Sequence, residues 1–436
     1  MVSIRNKRIF FGLVIAALSL SALVLIPAAG AQDGDPERTG FRPDAPPYGV
    51  RGLYPVGFRT FSVEVGDRLL EGGIWYPGLN PDGTEEAVTY DLGVGDILLP
   101  IVSAQAGRAI LDVAPDTANG PYPLVFSSHG LNGQIYFWAY LHEHLASQGF
   151  VVMAVWHNDT LRGSLLASTD EQQAVVMQAA IDGLVLRPAD VSHTLDYAEM
   201  LTGSDGALAG VIDTDRVAAI GMSYGGATSL LAVGARLDFR AVPELCASDV
   251  YASLLSTMVC QAHSADLPGL EAHLMELAGV DGTPGQLWPS LGDSRIDAIV
   301  AMMPGGGSVF VSAEGYANVE VPALFMKSCN DEISIPAYNV DPAWEYTGSA
   351  SKSLVTFENA GHAIGGYCDP VVVQTIPAFF PSCSDPVWDM DRAHDLIDHF
   401  VTAFLLAELY GDEEAAAALS PDTVQFPGIS YETTEF

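Results

Sequence analysis

The chain has 436 residues, 49% of them apolar, and carries 54 acidic against 18 basic side chains, a net charge of −36 at pH 7. An apolar fraction of this size excludes a disordered chain, and the charge excludes a surface built for nucleic acid phosphates or anionic headgroups. The length suits one large α/β domain with insertions, and no segment repeats at solenoid spacing.

The first residues read as an export signal. Arg5, Lys7 and Arg8 precede an apolar run from Ile9 to Ile26, Pro27 ends it, and Ala29-Gly30-Ala31 offers small residues for cleavage before Gln32. The run is also long enough to approach a bilayer span, so an uncleaved anchor is the alternative. Cleavage leaves 15 basic against 54 acidic residues, a charge of −39. The expected location is secreted or periplasmic, with no stable membrane span after cleavage. An oxidising compartment allows two bridges among Cys246, Cys260, Cys329, Cys368 and Cys383. Proximity favours Cys246 with Cys260 and Cys368 with Cys383, and no paired C-x-x-C spacing points to a metal.

Residues 32–47 are polar and proline-rich, a flexible lead-in. Strands are expected over Arg59–Val65 and Gly73–Tyr76, with a turn at Asn80-Pro81-Asp82-Gly83. A short apolar strand, Tyr122–Ser127, ends in the glycine-rich loop His129-Gly130-Leu131-Asn132-Gly133. Then come a helix over Tyr136–Gln148, a buried strand over Phe150–Trp156, helices over Thr169–Leu184 and Asp190–Thr202, a strand over Val217–Met222 and a helix over Tyr224–Arg236. Strands alternating with helices of this length imply a mostly parallel central sheet flanked by helices. Residues 237–293 interrupt the rhythm and read as a helical, cap-like insertion. Strands resume at Ile296–Met302, Pro322–Met326 and Leu354–Phe357, and Arg392–Tyr410 is a long amphipathic helix. An acidic tail, 412–436, is expected to be loosely held.

Gly221-Met222-Ser223-Tyr224-Gly225-Gly226 is G-x-S-x-G between a predicted strand and a predicted helix. Such a turn exposes the serine hydroxyl above the sheet, which makes Ser223 the candidate nucleophile. An oxyanion hole needs one N–H after the nucleophile and one from the loop after an earlier strand. Tyr224 and Leu131 occupy those positions. Serine needs a base, and the chain order in this arrangement is serine, acid, histidine. His362 lies in a loop just after a strand, whereas His394 and His399 lie on the terminal helix. Asp331, five residues after Met326, is the acid, with Glu332 its near rival and Asp297 a weaker one. His129, Trp156 and His157 end strands at the same edge and are candidate substrate contacts. Ordinary loop and packing roles are the alternatives for all of them.

The pieces Ile74-Trp75-Tyr76-Pro77, Phe126-Ser127-Ser128-His129-Gly130-Leu131, Arg187-Pro188-Ala189-Asp190-Val191 and Gly221-Met222-Ser223-Tyr224-Gly225-Gly226 resemble bacterial platelet-activating-factor-acetylhydrolase-like and dienelactone-hydrolase-like α/β-hydrolases. The likeness runs from about Tyr48 to Tyr410. It implies the α/β-hydrolase fold over 48–411 and ester hydrolysis, with Leu131 and Tyr224 as oxyanion donors. In acetylhydrolases of this kind the acid can follow the strand after the nucleophile helix. Here that strand ends in Met302-Met303-Pro304-Gly305, without a carboxylate, so Asp331 resembles the dienelactone-hydrolase placement.

The expected activity is a serine carboxylic ester hydrolase working through an acyl-enzyme, without cofactor or metal. Its expected partner is a small-molecule or lipid ester, neutral or zwitterionic, with a short to medium acyl chain, and not nucleic acid. The rival readings are a polyester or lactone hydrolase or an acyltransferase on the same triad, and a non-catalytic secreted binding protein on a hydrolase scaffold. Oligomeric state is left open by the sequence.

Overall fold

The computed structural model describes residues 39–91, 104–131, 133–157, 169–248, 250–368, 370–375 and 377–436. The segment read as an export signal lies outside them. Twelve strands occur among the described residues: β1 (Val56–Val65), β2 (Arg68–Pro77), β3 (Val88–Asp91), β4 (Ala104–Gly107), β5 (Ile110–Leu111), β6 (Tyr122–Ser128), β7 (Val151–Val155), β8 (Ile212–Met222), β9 (Ala298–Met302), β10 (Ala323–Ser328), β11 (Lys352–Phe357) and β12 (Ile429–Thr433). Ten of them form one sheet in the order β12-β11-β10-β9-β8-β6-β7-β2-β1-β5, while β3 and β4 pair separately. The run from β7 through β11 is parallel. Every residue of β6, β7 and β9 is buried, as strands covered on both faces must be.

Side-chain alternation along these strands divides the core. Leu124, Phe126, Val151 and Met153 face one layer with α2 (Asp170–Thr202) and α3 (Tyr224–Ala232). Val125, Val152 and Ala154 face the other, against α1 (Ala139–Ser147) and the helix Met390–Leu405.

Several expectations need correction. The two helices expected over 169–202 are one helix, opened by a capping box between Thr169 and Gln172. Pro188 sits inside it and gives up one helical hydrogen bond, a cost of about 3 kcal/mol. Burial of Leu184, Val185, Val191 and Leu195 on either side carries the helix through. The tail is not loose: β12 pairs antiparallel with β11 and extends the sheet by one strand. Part of the lead-in is also fixed, because the backbone N–H groups of Phe41 and Arg42 donate to the Asp395 carboxylate at 2.7 and 3.0 Å. The segment 237–293 contributes three helices, Val242–Ala247, Leu254–His263 and Leu267–Ala278, whose buried Leu255, Leu270 and Leu274 join the layer of α2. The bridges Cys246–Cys260 and Cys368–Cys383 are formed, and Cys329 is a free thiol. No helix among the described residues is long and apolar enough to cross a membrane.

Candidate active site

The carboxyl ends of β6, β8, β10 and β11 converge on one edge of the sheet, where α/β proteins bind ligands. β8 hands the chain to α3 through Ser223, whose φ of 58° and ψ of −120° form a sharp turn. A residue other than glycine pays for such a conformation, and the surroundings hold it. Ser223 N–H donates to Met302 O at 2.9 Å, and Gly305 N–H donates to Ser223 O at 2.9 Å. Gly225 is required for closeness: a Cβ there would fall 1.9 Å from Ser128 O, so any side chain would push α3 off β6.

His362 opens a short 3₁₀ turn after β11. Its Nε2 stands 2.9 Å from Ser223 Oγ, and its Nδ1 stands 2.6 Å from Asp331 Oδ2. Asp331, in the loop after β10, is buried, and its Oδ1 accepts from the N–H groups of Ile333 and Ser334 at 2.9 and 2.7 Å. Those two bonds fix the carboxylate, which in turn orients the imidazole. The rivals stand elsewhere. Glu332 is exposed and borders the cavity without reaching His362 Nδ1, and Asp297 accepts from Val217 N–H at 2.8 Å near the start of β9.

Ser223 and His362 lie in a cavity of about 450 Å³. Its walls include His129, Leu131, Phe137, Trp138, Met222, Ile333 and Tyr367, and its ionisable side chains include Glu332 and Asp385 but no Lys or Arg. Of the candidate contacts, His129 and Leu131 line this cavity, whereas Trp156 and His157 do not. Trp156 packs edge-on against Tyr136 at 5.3 Å. His157 is buried, with Nδ1 2.8 Å from Asp190 Oδ2 and Nε2 2.9 Å from Ser128 Oγ. Burial pushes the Asp190 carboxyl up, against the ion pair with Arg68 that lowers it. Tyr224 also turns its ring inward, its hydroxyl donating to Ala180 O at 2.9 Å, so only its backbone belongs to the site.

None of the described residues of the insertion lines the cavity. One wall is formed instead by residues 366–367 and 381–386, two stretches linked by the Cys368–Cys383 bridge. Within it, Asp385 Oδ2 accepts from Gly361 N–H at 2.7 Å, tying this wall to the turn that carries His362. His394 Nε2, 2.9 Å from Gly366 O, anchors its start from the terminal helix. The one sequence signal for this wall was the close cysteine pair.

Residues 66–180 match the family described as platelet-activating factor acetylhydrolase, isoform II. Among solved structures, a ferulic acid esterase from Streptomyces cinnamoneus superposes with a TM-score of 0.55, at 19% identity, over 87% of this chain and 96% of that one. The chain has the α/β-hydrolase fold, and over residues 66–180 it is similar to the platelet-activating factor acetylhydrolase family. Comparison with curated proteins finds no match. The family match to this hydrolase covers β2, β6, β7 and the first third of α2, so it takes in the loop of His129 and Leu131 but stops short of Ser223. The match supports carboxylic ester hydrolysis as the hydrolase's class of chemistry.

Proposed function

We propose that this protein is an exported serine carboxylic ester hydrolase in which Ser223, His362 and Asp331 form the catalytic triad. The observation that supports the reading most is the unbroken relay from Asp331 through His362 to a strained serine facing a cavity. Ser223 Oγ attacks the ester carbonyl carbon as its proton passes to His362 Nε2. The carbonyl oxygen becomes an oxyanion and takes the N–H groups of Leu131 and Tyr224. The tetrahedral intermediate collapses, the C–O bond to the alcohol breaks, and His362 returns the proton to the leaving oxygen. Water then gives a proton to His362 and attacks the acyl-enzyme, and the acid leaves as Ser223 regains its proton. Asp331 stays ionised and stabilises the imidazolium formed in each half-reaction.

The cavity supports a neutral or zwitterionic ester of short to medium acyl length. Phe137, Trp138, Leu131 and Met222 give an acyl group apolar contact, and Glu332 and Asp385 disfavour a substrate anion. One observation favours the polyester reading instead: Ile333, Phe380 and Val387, on or beside the cavity-lining segments, are exposed apolar side chains. Ser223→Ala removes one oxygen and should abolish ester hydrolysis with the melting temperature preserved. Loss of a triad nucleophile costs on the order of 10⁶-fold in turnover. Residual activity within tenfold of the wild type would refute the assignment.

A further inference from the structure

We infer that Arg187 and His129 are positioning residues that aim the Leu131 N–H at the oxyanion, an inference resting on the triad reading above. The Leu131 N–H shares a planar peptide with the Gly130 carbonyl, and in a trans peptide the two point in opposite directions. Whatever fixes Gly130 O therefore fixes the donor. Among the described residues, three donors hold that oxygen: His129 Nδ1 at 2.7 Å, Gly133 N–H at 3.0 Å and Arg187 Nη2 at 3.4 Å. The peptide lies against the nucleophile, since a Cβ on Gly130 would stand 3.3 Å from Ser223 Cβ.

Arg187 does more than hold one carbonyl. Its Nη1 donates to His129 O at 2.6 Å, so the guanidinium spans two successive peptides of the loop. Its centre lies 4.2 Å from the ring centroid of Tyr224, the residue whose own N–H is the second proposed donor. One buried cation, 1% exposed, thus touches both elements of the oxyanion hole and adds positive charge behind a site where negative charge develops. His129 is fixed in turn. Its Nε2 accepts the His157 N–H at 3.2 Å, which leaves the proton on Nδ1, where Gly130 O receives it. His157 is itself held by Asp190, three residues after Arg187 on the same face of α2. The Arg187-Pro188-Ala189-Asp190 run thereby anchors the loop after β6 by two routes, which gives a role to a sequence feature the triad leaves unused.

The test uses the full chain with p-nitrophenyl butyrate as substrate and an alkyl trifluoromethyl ketone, which forms an oxyanion on Ser223, as inhibitor. Arg187→Met should lower kcat about 10- to 100-fold, a share of the 10²- to 10³-fold that a whole oxyanion donor supplies. KM should stay within about threefold, and the ketone Ki should rise in step with the loss of kcat/KM. Arg187→Lys, which keeps the charge but not the fork, should recover part of the loss. His129→Leu should lower kcat on the order of tenfold, and His129→Asn, which restores a donor near Nδ1, should regain most of it. The His129 pair decides the matter if Arg187→Met does not accumulate as folded protein. A kcat within threefold of wild type in folded Arg187→Met or in His129→Leu overturns the inference, as does a rise in KM with the ketone Ki unmoved. Fluorophosphonate labelling of the wild type separates the two levels: absent labelling sinks the triad reading, and intact labelling beside unaffected variants sinks only the positioning role.

Discussion

Asp331→Asn probes the geometry behind the triad with almost no change in shape. In the structure one carboxylate oxygen accepts two backbone N–H groups and the other faces His362 Nδ1 at 2.6 Å. An asparagine keeps the first pair of bonds by placing its carbonyl oxygen there, which points its NH₂ group at His362. A donor then faces a donor unless the imidazole moves its proton from Nδ1 to Nε2. In that tautomer Nε2, 2.9 Å from Ser223 Oγ, carries a hydrogen and no longer accepts one. Loss of a triad acid in this way costs on the order of 10⁴-fold in kcat, or roughly 5 kcal/mol of transition-state stabilisation. The assay is p-nitrophenyl butyrate turnover at pH 7.5, with melting temperature as the control for fold. Glu332→Gln, at an exposed site, should stay near wild-type kcat. A loss below tenfold for Asp331→Asn, or a larger loss for Glu332→Gln, would show that the acid is misassigned.

Replacing Cys368 and Cys383 together by serine should lower kcat/KM, because their bridge holds the wall that lines the cavity and ties to Gly361. Replacing Cys246 and Cys260 should leave steady-state kinetics near wild type, which a parallel assay checks. The melting temperature should fall as pH drops from 7 to 5. Burial lowers His142 and His144 to about 3 and His394 and His399 to about 4, so below pH 6.5 the unfolded chain takes up protons that the fold refuses. Glu143, raised by burial to about 7, Asp395, raised to about 6, and Asp398 and Asp190, whose carboxyls burial also raises, run the other way and offset part of the loss. A flat or rising profile over that window contradicts the account. Stability should also rise with salt, since the Debye length shrinks from about 10 Å at 0.1 M to about 3 Å at 1 M and screens the acidic surface. A melting temperature unchanged in molar NaCl would count against repulsion as the limiting term.

The candidate site residues that the sequence brings forward are those that follow strands. Ser223, Leu131, Asp331 and His362 each lie one to five residues beyond an apolar run, and a parallel sheet gathers such positions at one edge. That rule places a residue at the edge without saying where its side chain points. Trp156 and His157 also end a strand, yet His157 turns down onto Asp190 and Ser128 and Trp156 onto Tyr136. The wall of residues 366–367 and 381–386 joins two separate stretches through a disulfide and an Asp385 contact with Gly361, neither of which local pattern reveals. The break expected between Leu184 and Asp190, where Pro188 sits, does not form, because the packing that carries the helix through comes from distant strands. β12 alternates between exposed and half-buried residues with Glu432 outward, a pattern that looks like an acidic tail until its partner strand is known.

The central claim is that Ser223 is the group that becomes acylated. Intact-mass measurement after incubation with a fluorophosphonate, followed by peptide mapping, tests it directly. The account predicts one adduct per chain, located on Ser223, absent from Ser223→Ala and slowed in Asp331→Asn. No adduct, or an adduct mapped to another serine, would contradict it.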